Sequence, residues 1–170
     1  MYHVAGDEDP DFRARQGLRH APDRAELGDS ALHLHYGTVE CNIAVRVVDK
    51  HEMEIDLSTS GGNSEQVAAH LTLLAHLGQA LHSNKGICDA LGEETLDWPD
   101  SLWIAHAGWH LDLPPSARLY WPVLPHNPYR KDGAATVEEA RIAVVLPFDD
   151  NCTQHKMTLR VTHHESPRSP

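Results

Sequence analysis

Between Leu32 and Leu57 apolar side chains recur at every second position, and the turns between the runs keep that alternation in phase. Leu32, Leu34 and Tyr36 alternate with His33 and His35, and Val39, Cys41, Ile43, Val45 and Val47 alternate with Glu40, Asn42, Ala44 and Arg46. Period-two patterning marks a strand with one covered face. Gly37-Thr38 separates the first two runs, and a glycine in the first of two turn positions suits a type II′ turn. That turn pairs Tyr36 with Val39, Leu34 with Cys41 and Leu32 with Ile43, a match that a one-residue slip would destroy. The next run sets Met53, Ile55 and Leu57 against Glu52, Glu54 and Asp56. A loop of Asp49, Lys50 and His51 pairs Val47 with Met53 and Val45 with Ile55, and brings Arg46 beside Glu54. A three-stranded meander with one apolar face is therefore expected.

Its polar face carries the first candidate site. His35 falls opposite Glu40 and His33 opposite Asn42. The spacing H-x-H-x4-E over His33, His35 and Glu40 resembles the first motif of cupins. That resemblance implies a divalent transition metal held by those three side chains inside a barrel, and hence a metal-dependent enzyme. The chain departs from the motif at Gly28, one residue out of place, and at Val47, where a glycine belongs. Around Gly108-Trp109-His110, the nearest stretch to a second motif, Ser116 and Leu119 replace a glycine and the last ligand. His106 or His110 could add an imidazole if residues 106–110 stay extended.

After Leu57, "STSGGNS" leads into a segment patterned as a helix over about 64–85. Asn63 can cap it with Gln66 reaching back, Gly86 can end it, and Val67, Leu71, Leu74, Leu77 and Leu81 form its apolar face. Glu65, Ala69, Thr72, His76, Gln79 and Ser83 form the wetter stripe. The expected fold is thus α+β: an antiparallel or mixed sheet of five to seven strands with this one main helix packed on one face. Gly61, Gly62, Asn63 and Ser64, at a strand-to-helix junction, offer backbone N–H groups to an anion. A plain strand-to-helix connector is the favoured reading of them, because the loop has no Walker lysine and no G-x-G-x-x-G and its surroundings are acidic.

All four tryptophans lie between Trp98 and Trp121, and six of the eleven prolines between Pro99 and Pro128. One reading makes the tryptophans core plugs. The other makes Tyr120, Trp121, His126, Tyr129 and Arg130 the contacts of a rigid recognition surface. Trp103 and Trp109 are expected in the core, Trp121 and Tyr129 at the surface. Two further strands are expected, Arg141 to Phe148 and Lys156 to His163, joined as a hairpin.

Residues 1–30 hold seven acids and four arginines with few large apolar groups, so an acidic, flexible N-terminal segment is expected. A single domain should occupy 31–164, followed by a disordered tail over 165–170. Net charge is −11 with the histidines neutral, and residues 51–100 hold nine acids against one lysine, which argues against nucleic acid and anionic membranes as partners. Three cysteines without a CxxC suit a reducing, cytoplasmic setting. No G-x-S-x-G, H-E-x-x-H, Walker A or paired zinc pattern occurs. The reading that follows is a non-enzymatic cytoplasmic binding or regulatory module without cofactor, engaging a protein partner or small ligand and compatible with a homo-oligomer. The alternative is the cupin-like enzyme with its metal.

Overall fold

The computed structural model describes residues 2–4, 22–61, 67–124 and 135–161. It overturns the α+β expectation: the described chain is built of β-strands, and its helical content is a single 3-10 turn at Val137–Glu139. The strands are β1 (Tyr2–Val4), β2 (Arg24–Leu27), β3 (Ala31–Tyr36), β4 (Val39–Val47), β5 (Glu52–Ser60), β6 (Val67–Leu74) and β7 (Leu81–Ser83). They continue with β8 (Gly86–Cys88), β9 (Leu96–Trp98), β10 (Trp103–His106), β11 (Trp109–Asp112), β12 (Arg118–Val123), β13 (Arg141–Phe148) and β14 (Gln154–Val161). One sheet has nine strands in the order β2-β3-β4-β5-β14-β11-β10-β7-β8. The other has five, β1-β6-β13-β12-β9, with the short β1 at its edge. Each described pairing is antiparallel.

The meander forms in the expected register. Tyr36 pairs with Val39, Leu34 with Cys41 and Leu32 with Ile43, and the positive φ of +61° falls on Gly37. Val47 pairs with Met53 and Val45 with Ile55, and Arg46 bonds Glu54 across the strands. Tyr36, Val39, Cys41 and Leu57 are buried on the shared inner face.

The described residues of the segment expected as a helix form β6, a turn and β7. Its alternation decides the matter: Val67 and Ala69 are buried, and Leu71 and Leu73 pack against the core. Leu74, assigned to the apolar face of the helix, is 67% exposed. Val67 and Leu71 satisfy both periods, which is why the helical reading is attractive from sequence. Local preference for a helix in an Ala- and Leu-rich segment amounts to tenths of a kcal/mol per residue, about 0–0.7. Against it stands a ladder running unbroken from Val67↔Phe148 to Leu74↔Arg141, which provides β13 with the backbone partners its buried position demands.

One other expectation changes. β13 and β14 do not form a hairpin ladder; they lie in different sheets, linked by one bridge between Asp149 and Cys152. The N-terminal region contributes β1 and β2 to the sheet edges, while residues 5–21 and 162–170 lie outside the described residues. The core between the sheets combines Ile142, Val144, Leu146 and Phe148 of β13 with Leu119 and Trp121 of β12, and with Cys41, Leu57, Met157, Leu111 and Ile104 of the larger sheet. Among the described residues no helix is long and apolar enough to cross a membrane.

The helix and strand readings place Ala69 and Leu74 oppositely, so two substitutions separate them. Ala69→Asp should cost several kcal/mol in urea denaturation, on the order of 3, because it buries a charge between the sheets. Leu74→Asp should stay within about 1 kcal/mol of the parent. The reverse order would contradict the strand register.

Candidate functional site

The outward face of the nine-stranded sheet carries the polar half of every alternating strand. Two ion chains cross it. Glu54 takes Lys156 at 2.9 Å and Arg46, and these two hydrogen bonds, Lys156 first, hold its carboxyl below the ordinary range. Glu52 bonds Arg160 at 2.8 Å, Arg160 bonds Asp112, and Asp112 bonds His110 at 2.9 Å. Desolvation pushes Asp112 up, but Arg160 and then His110 outweigh it and leave its pKa lowered. Trp103 stacks on His110 with ring centroids 5.4 Å apart. This face is solvated and internally neutralised, and such exposed pairs add little stability.

At one side of it lie His33, His35 and Glu40. The His33 Nδ1 lies 2.5 Å from Asn42 Oδ1, and the Asn42 amide donates to Ser58 at 3.4 Å. His35 Nδ1 is 3.7 Å from a Glu40 carboxylate oxygen, beyond hydrogen-bond range. The three candidate ligands therefore share an outer sheet face rather than the interior of a barrel. Among the described residues no group of three His, Cys, Asp or Glu side chains is gathered closely enough to hold a metal ion. His106 and His110 do not join them: Ala107 and Gly108, with φ of +47° and +85°, make a turn that sends the two imidazoles to opposite faces.

Gly61 has φ +76°, and a Cβ built on it would come within 2.2 Å of the Thr38 carbonyl oxygen, so close backbone approach explains the glycine. Gly62, Asn63 and Ser64 lie outside the described residues. The helix N-terminus on which their anion site was to rest is replaced by the strand beginning at Val67.

The recognition surface expected around residue 121 is also altered. Trp121 is 1% exposed and donates its indole N–H to the Gly92 carbonyl at 3.2 Å, so it is a core residue. Tyr120 is half-buried on the outer face of the smaller sheet, with the Arg118 guanidinium 5.3 Å above its ring. Arg118 is itself clamped by both Asp97 oxygens at 2.7 and 2.6 Å. His126, Tyr129 and Arg130 lie outside the described residues.

What the residue pattern did not reveal is where the smaller sheet stops. Along β4 the inward-facing positions run from Val39 and Cys41, 5% and 0% exposed, to Val45 and Val47, 54% and 71% exposed. Val161, on the same face at the end of β14, is 53% exposed. Met53 and Leu159, which connect Val47 to the core, are half-buried. Val48 follows as the partner of Glu52, and so belongs to the opposite, polar face. Side chains whose register commits them to an interior are thus left in water at one corner of the large sheet. Alternation identifies the face; it carries no signal for the extent of its cover.

No family model matches the chain, and no curated protein matches it in sequence.

Near that corner His106 ties the β6–β7 connection to the sheet. It is 2% exposed; its Nδ1 lies 2.8 Å from the Ala80 carbonyl and its Nε2 accepts the His76 backbone N–H at 2.9 Å. Those partners fix a neutral ring protonated on Nδ1, and desolvation lowers its pKa. Since the folded value lies below the unfolded one, the unfolded chain binds the proton first. The stability this ring contributes is full above the unfolded value, about 6.5, and is lost as pH falls through the folded one. Unfolding free energy should therefore decline between pH 7.5 and 5. His106→Leu should flatten that slope while costing about 1–3 kcal/mol at pH 7.5, from the unpaired Ala80 and His76 backbone groups. A slope unchanged in the variant would assign the acid sensitivity elsewhere.

Proposed function

We propose that the protein is a non-enzymatic binding module of a reducing, cytoplasmic setting that takes a protein partner on the uncovered corner of its larger sheet. The observation that carries this reading is the exposure of Val45, Val47 and Val161, 54%, 71% and 53%, on a face whose other members form the core. Clustered apolar surface of this kind costs free energy in water and is retained where a partner covers it. The chain's charge selects that partner. At −11, a second copy is repelled and a net-basic protein is attracted, with faster association at low salt. Three cysteines, each a free thiol, suit the compartment.

A photo-crosslinking side chain at Val45, within the patch, tests this in native cell extract. A discrete adduct with a basic protein is expected. It should disappear in Val47→Asp and weaken as salt rises from 50 to about 500 mM. Val47→Asp should itself unfold within about 0.5 kcal/mol of the parent, since the site is exposed. An adduct of twice the chain's mass would make the corner a self-association surface, and an adduct indifferent to Val47→Asp would remove the corner from the account.

A further inference from the structure

The stretch that joins β6 to β7 runs between two anchors. At one end the β6–β13 ladder stops with the pair Leu74↔Arg141. At the other, the Gly78 N–H donates to the Leu91 carbonyl at 2.8 Å and the Leu91 N–H to the Gln79 carbonyl at 3.0 Å. Between the anchors Ala75 packs a methyl group against the core, while His76 and Leu77 are exposed. The bond that ties this short span to the larger sheet runs from the His76 N–H to His106 Nε2, at 2.9 Å.

The two nitrogens of His106 have unequal duties. Nδ1 donates to the Ala80 carbonyl at 2.8 Å, a bond that an imidazolium keeps. Nε2 must hold a lone pair to accept from His76, and a ring protonated on both nitrogens has none. Protonation therefore spares one bond and destroys the other, leaving two N–H groups aimed at each other. The ring is 2% exposed, so its charge would also stand away from water. Its surroundings offer that charge no counterpart. The His76 ring lies 5.9 Å away on the connection, and His76 and His82 of β7 both oppose a positive charge there. On β11 the facing side chain is Trp109, whose ring meets His106 edge-on at 5.7 Å.

We propose that His106 is a proton-operated latch: neutral, it holds residues 75–77 against the larger sheet, and on taking a second ring proton it releases them to water. The His76 N–H then turns to solvent and the imidazolium is hydrated, while the anchors at Leu74 and Gly78 confine the movement. Trp109 pairs with Val161, so release widens the open corner from its Trp109 side. The latch itself does not depend on what binds at that corner. Burial lowers the pKa of the closed ring, so the open form takes the proton first. Opening is therefore independent of pH above the ordinary imidazole value of about 6.5 and grows as pH falls below it, by at most about tenfold per pH unit for one proton.

Amide exchange followed by NMR on the intact chain reads the latch directly, each rate being divided by that of an unstructured amide at the same pH. Protection of the His76 amide should fall at least about fivefold from pH 7 to 5.5. The Gly78 and Leu91 amides, at the neighbouring anchor, should be at least about tenfold better protected than His76 at pH 5.5. In His106→Gln the side-chain carbonyl can accept from His76 and the amide can donate to Ala80 at every pH, so His76 protection should stay within about twofold over that range. Equal protection of His76, Gly78 and Leu91 would make the opening global and overturn the proposal. So would His76 protection that ignores pH in the parent, or that falls equally in His106→Gln. If circular dichroism shows that His106→Gln fails to fold, the parent's His76 curve decides: it must be level above about pH 7 and fall below about 6.5, and a curve without that bend sinks the latch.

Discussion

The ladder between β6 and β13 is the constraint on which the rest of the sandwich depends. β13 lies inside the smaller sheet, with Ile142, Val144, Leu146 and Phe148 at 1% exposure or less, so its N–H and C=O groups have no access to water. Each must be paired within the protein or cost a desolvated polar group. β12 provides one neighbour and β6 the other. Once residues 67–74 are committed to that ladder they cannot also form a helix, and the layer facing the meander becomes a second sheet. The breadth of that sheet, five strands against nine, then determines how much of the larger inner face remains open.

The two surfaces of the nine-stranded sheet divide the work. The outer face is a lattice of compensated charges in which Glu54 and Asp112 each bind two partners, leaving little unspent attraction for a ligand. The inner face is closed where the second sheet lies over it and open at Val45, Val47 and Val161. The proposed binding role therefore rests on an edge effect of packing, with selectivity drawn from the charge of the whole molecule rather than from one ion pair.

Much of the larger sheet was legible in the sequence. Register from Leu32 to Leu57 followed from alternation and turn chemistry because both are local, and each excluded its one-residue alternative. Beyond Gly61 the local signals mislead. Val67 and Leu71 fit a helix and a strand alike, and only the distant partner at residues 141–148 discriminates. His33, His35 and Glu40 share the polar face of the meander, His35 opposite Glu40, as the alternation assigns them. Trp121 illustrates the limit of local signals: its loop-like, proline-flanked setting suggested a surface anchor, whereas the packing of two sheets made it one of the largest buried side chains.

By itself the sequence determined the period of its strands, the pairing of the meander, the side on which its greasy residues would gather, and a net charge that narrows the choice of partner. Those properties depend on neighbours a few positions apart and on sums over the whole chain. Only the tertiary structure decided that the cover is a sheet, where that cover ends, and that His106 is buried between the Ala80 carbonyl and the His76 backbone N–H. Each of these depends on backbone groups far apart in the chain competing for the same partners, and a pattern read along one strand contains no term for that competition.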